Sequence, residues 1–211
     1  MNNVVTSTIG VSGTEINALN IISSTSTLGG AVYATTTTVA SGGTLDTGSH
    51  ILTGTVVNNG TLTLGTAIIA GTISGTGTIS SDEDYTNGNI ISGASALNIT
   101  TNEFTLGAAV TATTTTVSNG ATLATGSHIL TGAVVNNGTL TLGTAAITGA
   151  ISGTGTVDVI EDYTAGAAIG ATNLNISATK TLNLNAAASI ISGTTTINGS
   201  SASIISNKNT D

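Results

Sequence analysis

The sequence predicts an all-β chain wound as a parallel β-solenoid, a β-helix with coils of about 16–18 residues. Three observations carry that expectation. The 211 residues contain no proline, and their polarity comes from Thr, Ser, Asn and Gly rather than from charge. Strand-like alternation recurs at a short period. The same segment is also written twice. Solenoids arise when a short unit that cannot bury its own apolar face is stacked on copies of itself.

Composition comes first. Hydrophobic residues make up 39% of the chain, enough for a packed core, and mean hydropathy is +0.39, against disorder. Charged residues are only 6%, where soluble domains usually carry about 25%. The apolar set is Val, Ile, Leu and Ala, with four aromatic residues, Tyr33, Tyr85, Tyr163 and Phe104. Branched Val, Ile and Thr are stiff at χ1 and suit a pleated surface. No stretch shows the i, i+3, i+4, i+7 spacing of an amphipathic helix, so no helix longer than about three turns is expected.

The long repeat is the strongest signal. Residues 31–79 align without gaps on 109–157, with 39 of 49 positions identical, an offset of 78. The likeness continues through Glu83-Asp84-Tyr85-Thr86 and Glu161-Asp162-Tyr163-Thr164, giving duplicated spans 31–86 and 109–164 within one continuous unit, 1–211. Ala18-Leu19-Asn20-Ile21 returns as Ala96-Leu97-Asn98-Ile99, with a weaker echo at Asn173-Leu174-Asn175-Ile176. Inside the long period, 117–132 resembles 135–149, and 151–157 restarts the pattern.

Each short period reads as one coil. In Thr61-Leu62-Thr63-Leu64 the alternation sends Leu inward and Thr outward. Leu62, Leu64, Ile73, Leu140, Leu142 and Ile151 are accordingly assigned to the core. Asn58-Asn59-Gly60 punctuates the coil, read as a corner that uses positive φ. About twelve coils at the ~4.8 Å strand spacing give a rod roughly 55–60 Å long.

Charge narrows the function classes. The net charge is −8, and Lys180 and Lys208 are the only cations. Nucleic acid and anionic membrane surfaces are bound through Lys and Arg, so neither is an expected partner. No apolar run approaches the ~20 residues of a membrane span. Without Cys there are no disulfides and no thiolate metal sites. The segment Met1 to Thr6 lacks a basic region followed by an apolar one, so no Sec-type signal is legible.

VVNNGTLTLGT followed by GTISGTGTI, and by GAISGTGTV in the second copy, resembles the β-strand repeats of autotransporter passenger domains, the secreted β-helices of type V secretion. The matching stretches are Asn58 to Thr66 with Gly71 to Ile79, and Asn136 to Thr144 with Gly149 to Val157. The resemblance implies a β-helix, an extracellular or bacterial cell-surface location, and often adhesion.

Candidate sites all have plain structural readings. Asp82-Glu83-Asp84 is the one dense acidic cluster, read as a solvated loop with a weak cation site as the alternative; the second copy reads Ile160-Glu161-Asp162. His50 and His128 each stand in TGSHILTG with no second His or Cys nearby, so a structural role at a coil corner is expected. Thr35 to Thr38 and Thr113 to Thr116 are read as outward-facing strand residues, with an ice-binding face as the alternative. No catalytic, cofactor or metal residue is assigned. The function expected is a non-catalytic structural or adhesive module of a surface or secreted protein, engaging a host-cell or surface ligand. The alternatives are a self-assembling extracellular fibre subunit and, behind it, an ice-binding solenoid. End-to-end self-association would follow from open terminal edges, Asn2 to Thr8 at one end and the coil before the polar tail Ser206 to Asp211 at the other.

Overall fold

The computed structural model describes residues 2–184 and 190–206. Of the tail invoked for an open edge, 207–211 lie outside the described residues, as does Lys208. Every described strand pairing is parallel and no helix occurs among the described residues. The chain winds about ten times, with coils about 18 residues apart. This is the β-solenoid that the composition and periodicity predict.

Each coil contributes to three faces. On the first, inward positions stack as Ser26, Leu45, Leu62, Ile79, Leu97, Thr115, Val134 and Ile151. On the second, Val32, Leu52 and Ile69 stack through single bridges. Farther along that face run Tyr85, Phe104, Leu123, Leu140, Val157 and Leu174. On the third, the stack is Leu19, Thr37, Val56, Ile73, Ile91, Val110, Leu130 and Ile147. The apolar faces close on one continuous core.

The register puts Leu62, Leu64, Ile73, Leu140, Leu142 and Ile151 inside, none more than 4% exposed. Thr61–Leu64 and Thr139–Leu142 share the alternating pattern of half-buried Thr and buried Leu. The strand period of two therefore translates directly into burial.

Coil number differs from the sequence estimate. Leu45, Leu62 and Ile79 follow one another at 17 residues, but Asn3 and Ser26 are 23 apart and Gly170 and Ile190 are 20 apart. Corner loops absorb the excess, so about ten coils form where a spacing of 16–18 residues suggested about twelve. At ~4.8 Å per coil the rod is about 48 Å long.

The Asn58-Asn59-Gly60 corner also differs. None of the three has positive φ. Gly60 is needed for closeness instead: a Cβ there would lie 2.3 Å from Gly43 O and 2.4 Å from Ala40 O. Asn58 points inward, 1% exposed, its Nδ2 donating to Thr78 O at 2.8 Å and its Oδ1 accepting from Gly60 N at 3.2 Å. The side chain satisfies backbone groups that a tight corner would otherwise leave unpaired.

The two copies do not face the same way. From Leu45 the first-face stack runs through Leu62, Ile79 and Leu97 to Thr115. The sequence counterpart of Leu45 is Leu123, which lies eight residues past Thr115 in the second-face stack, between Phe104 and Leu140. Likewise Val56 stacks on the third face and its counterpart Val134 on the first. A 78-residue module thus spans four coils and one further face, and each copy is turned by about a third of a revolution.

Candidate functional site

The Thr runs obey the strand alternation rather than facing out as a block. Thr35 is exposed and Thr36 and Thr38 are half-buried, but Thr37 is fully buried, and Thr115 repeats this in the second copy. This corrects the uniformly outward reading. A run of one residue type carries no in-or-out signal; buried Val39, two residues on, matches the phase of Thr37, whereas buried Ala34 has the opposite parity and the alternation breaks at Thr35. Neither Thr37 Oγ1 nor Thr115 Oγ1 has a hydrogen-bond partner. Thr47 and Thr125 are buried too, but their hydroxyls are used: Thr47 donates to Thr63 O at 3.1 Å and accepts from Gly65 N at 3.3 Å, and Thr125 makes the equivalent pair with Thr141 O and Gly143 N.

Outward Thr forms a rank on the first face, where Thr25, Thr44, Thr61 and Thr78 are stacked partners on successive coils. Beside it runs a second rank, Thr27, Asp46, Thr63 and Ser80, interrupted by one carboxylate. In the second copy the comparable rank, Thr122, Thr139 and Thr156, lies on the second face.

Exposed isoleucines stand on other faces of the rod. Ile51 and Ile68 are 39% and 65% exposed and neighbour each other through Leu52 N donating to Ile68 O at 3.0 Å. Ile90 and Ile129 are about half exposed on the third face, with Ala109 on the coil between them. The signal was present in the sequence. Ile51-Leu52, Ile68-Ile69, Ile90-Ile91 and Ile129-Leu130 are apolar doublets, and an alternating strand must turn one member of each outward.

Between Thr66–Ala70 and Asp84–Asn89 lies a shallow recess of about 200 Å³, lined partly by Ile68 and Tyr85. Asn89 Nδ2 donates to Ile69 O at 3.2 Å across it. It is smaller than the ~300 Å³ at which small-molecule pockets begin. Tyr85 packs its ring on Phe104 with centroids 5.5 Å apart, and burial pushes its phenol up to about 12. Tyr163, its counterpart, is raised by burial as well, and its hydroxyl accepts from Ile147 N at 3.1 Å.

The acidic loops are ties between coils. Asp84 Oδ1 accepts from Glu103 N at 2.9 Å, and Glu83 Oε2 from Asn102 Nδ2 at 3.1 Å. In the second copy Asp162 Oδ1 accepts from Thr181 N at 2.8 Å, and Glu161 pairs with Lys180. That hydrogen bond to Glu161 is the main reason the Lys180 ammonium sits above its ordinary range. Each partner is 19 residues ahead, one coil on. The loop is solvated, as expected, but it also caps the next turn, a role that local sequence does not reveal. Among the described residues no group of three or more His, Cys, Asp or Glu side chains is arranged to hold a metal ion.

The histidines sit at two different corners. His50 follows the first-face strand Thr44–Asp46, and its backbone N donates to Thr47 O at 3.1 Å. His128 follows the second-face strand Thr122–Ala124 and places Nδ1 2.9 Å from Leu106 O. The structure does not bring the pair together. Comparison with family models, with curated proteins and with solved structures finds no match to this chain.

Proposed function

We propose that this chain is a non-catalytic structural and adhesive rod, a passenger-type segment of a bacterial surface or secreted protein. The observation that carries the reading is the duplicated module, whose copies turn matching strands to successive faces of one packed rod, with exposed Ile51 of the first copy answered by Ile129 of the second. Its surface is sparsely charged, with a net charge of −8, and hydroxyl-rich, studded with Ile51, Ile68, Ile90 and Ile129. Such a surface makes many weak contacts and excludes little water from any single one, which suits repeated adhesion to an uncharged host or abiotic surface. The test is adhesion of the purified chain to cultured cells and to glycan-coated and plain surfaces, with Ile51→Ser/Ile129→Ser as the variant. Loss of adhesion with the rod intact by electron microscopy supports the proposal; unchanged adhesion refutes the role given to the isoleucines.

A second reading, ice binding, is supported by the first-face rank Thr25, Thr44, Thr61 and Thr78, whose register is regular over four coils. Ice-recrystallisation inhibition by the chain, lost in Thr44→Lys/Thr61→Lys, would select this reading over adhesion.

A further inference from the structure

We infer that Asn119 is a self-modifying site, an asparagine that the fold leaves free to cyclise on its own backbone and convert to aspartate or isoaspartate. The chain has five Asn-Gly pairs, at 59, 87, 119, 137 and 198. The fold treats them differently. Asn87 is buried, its Nδ2 donating to Asn89 O and Ala108 O and its Oδ1 accepting from Gly107 N, each at 3.1 Å. Asn59 Oδ1 accepts from Thr76 N at 3.2 Å, and Asn137 Oδ1 from Thr154 N at 3.3 Å. The glycines after these two are wedged against neighbouring carbonyls, 2.3 Å from where a Cβ would stand.

Asn119 has none of these restraints. It is exposed and its side chain has no hydrogen-bond partner. Ala121 N donates to Ser118 O at 3.0 Å, closing a four-residue turn with Asn119 and Gly120 at its centre. Gly120 has φ +83°, the value a type II turn needs at its third position, and nothing lies within 4 Å of where its Cβ would be. The peptide between Asn119 and Gly120 takes no part in the closing bond, so it can rotate without breaking the turn. Asn198 is also exposed with an unpaired side chain, before Gly199 at φ +98°.

The chemistry needs only water. Gly120 N, losing its proton to solvent, attacks Asn119 Cγ; the bond from Cγ to the side-chain nitrogen breaks, and ammonia leaves with that proton. Water then opens the cyclic imide at either carbonyl, giving aspartate or isoaspartate. The first copy has Ser41 at the equivalent place, in a turn closed by Gly43 N donating to Ala40 O at 2.8 Å with Gly42 at φ +83°. The turn therefore does not depend on asparagine, and Asn119→Ser is a benign control.

The test incubates the folded chain at mildly alkaline pH and maps all five sites by peptide mass spectrometry, beside the chain in concentrated urea and the Asn119→Ser variant. Asn119 and Asn198 should convert at least about ten-fold faster than Asn87, with Asn59 and Asn137 between. In urea the five rates should converge. Equal rates in the folded chain, an unreactive Asn119, or a spread that persists in urea would each overturn the inference.

Discussion

Replacing Thr37 by Val should stabilise the protein. Thr37 is fully buried among Leu19, Val56 and Val39, and its hydroxyl meets no partner. An unsatisfied buried hydroxyl costs about 1–3 kcal/mol, and Val keeps the branched shape while removing it. Allowing for imperfect packing of the new methyl, we expect a gain of about 1 kcal/mol. Thr115, between Leu97 and Val134, should respond equally. The two lie one module apart, about 21 Å along the axis and on different faces, so the double variant should gain about 2 kcal/mol. Urea unfolding followed by circular dichroism is the assay. With a slope of about 2 kcal/mol/M, each change moves the midpoint up by roughly 0.5 M at constant slope. Thr47→Val is the opposing control: its hydroxyl both donates and accepts, so its loss should cost about 1–3 kcal/mol. If Thr37→Val and Thr47→Val destabilise alike, the inward register of the Thr run or the emptiness around its hydroxyl is wrong.

Other outcomes follow from the same geometry. Leu140→Ala should cost about 2–5 kcal/mol, read by the same melts. Gly60→Ala should cost about 1–3 kcal/mol or more, since its methyl would meet two backbone carbonyls rather than a yielding side chain. Stability should also fall in strong base. Tyr85 is raised from 10 to about 12, so its contribution is complete below pH 10 and lost as pH rises towards 12; Tyr85→Phe should flatten that slope in pH-dependent urea melts. Sedimentation velocity across concentration checks end-to-end association: a ladder of longer rods is expected if terminal coils dock, and a single monomeric boundary rules it out.

The sequence is most legible where residue type alternates. Thr61-Leu62-Thr63-Leu64 states its own register, because hydroxyl and isobutyl differ in hydration and the strand period is two. It is least legible where type is constant. Thr35 to Thr38 give no phase, and their flanks disagree: buried Val39 matches Thr37, but buried Ala34 has the opposite parity, so the break at Thr35 is not legible. The positive-φ reading of Asn58 fails because a corner can be closed in two ways, by a left-handed backbone or by a side chain that turns inward to serve it. The acidic loops were half legible. Glu83-Asp84 and Glu161-Asp162 are exposed, as their charge demands, but their partners lie one coil ahead, where no local pattern points. The exposed isoleucines could have been found from their doublets.

The third-of-a-turn offset between modules bears on how such a chain can change length. A first-face stack that passes from Leu62 and Ile79 of one motif to Thr115 and Val134 of another shows that the inward positions of different motifs fit on each other. Gain or loss of a whole module then needs no matching phase at the splice. Each added copy would lengthen the rod by about 21 Å and rotate its display by about 120°, so three copies in series leave no side of the rod bare.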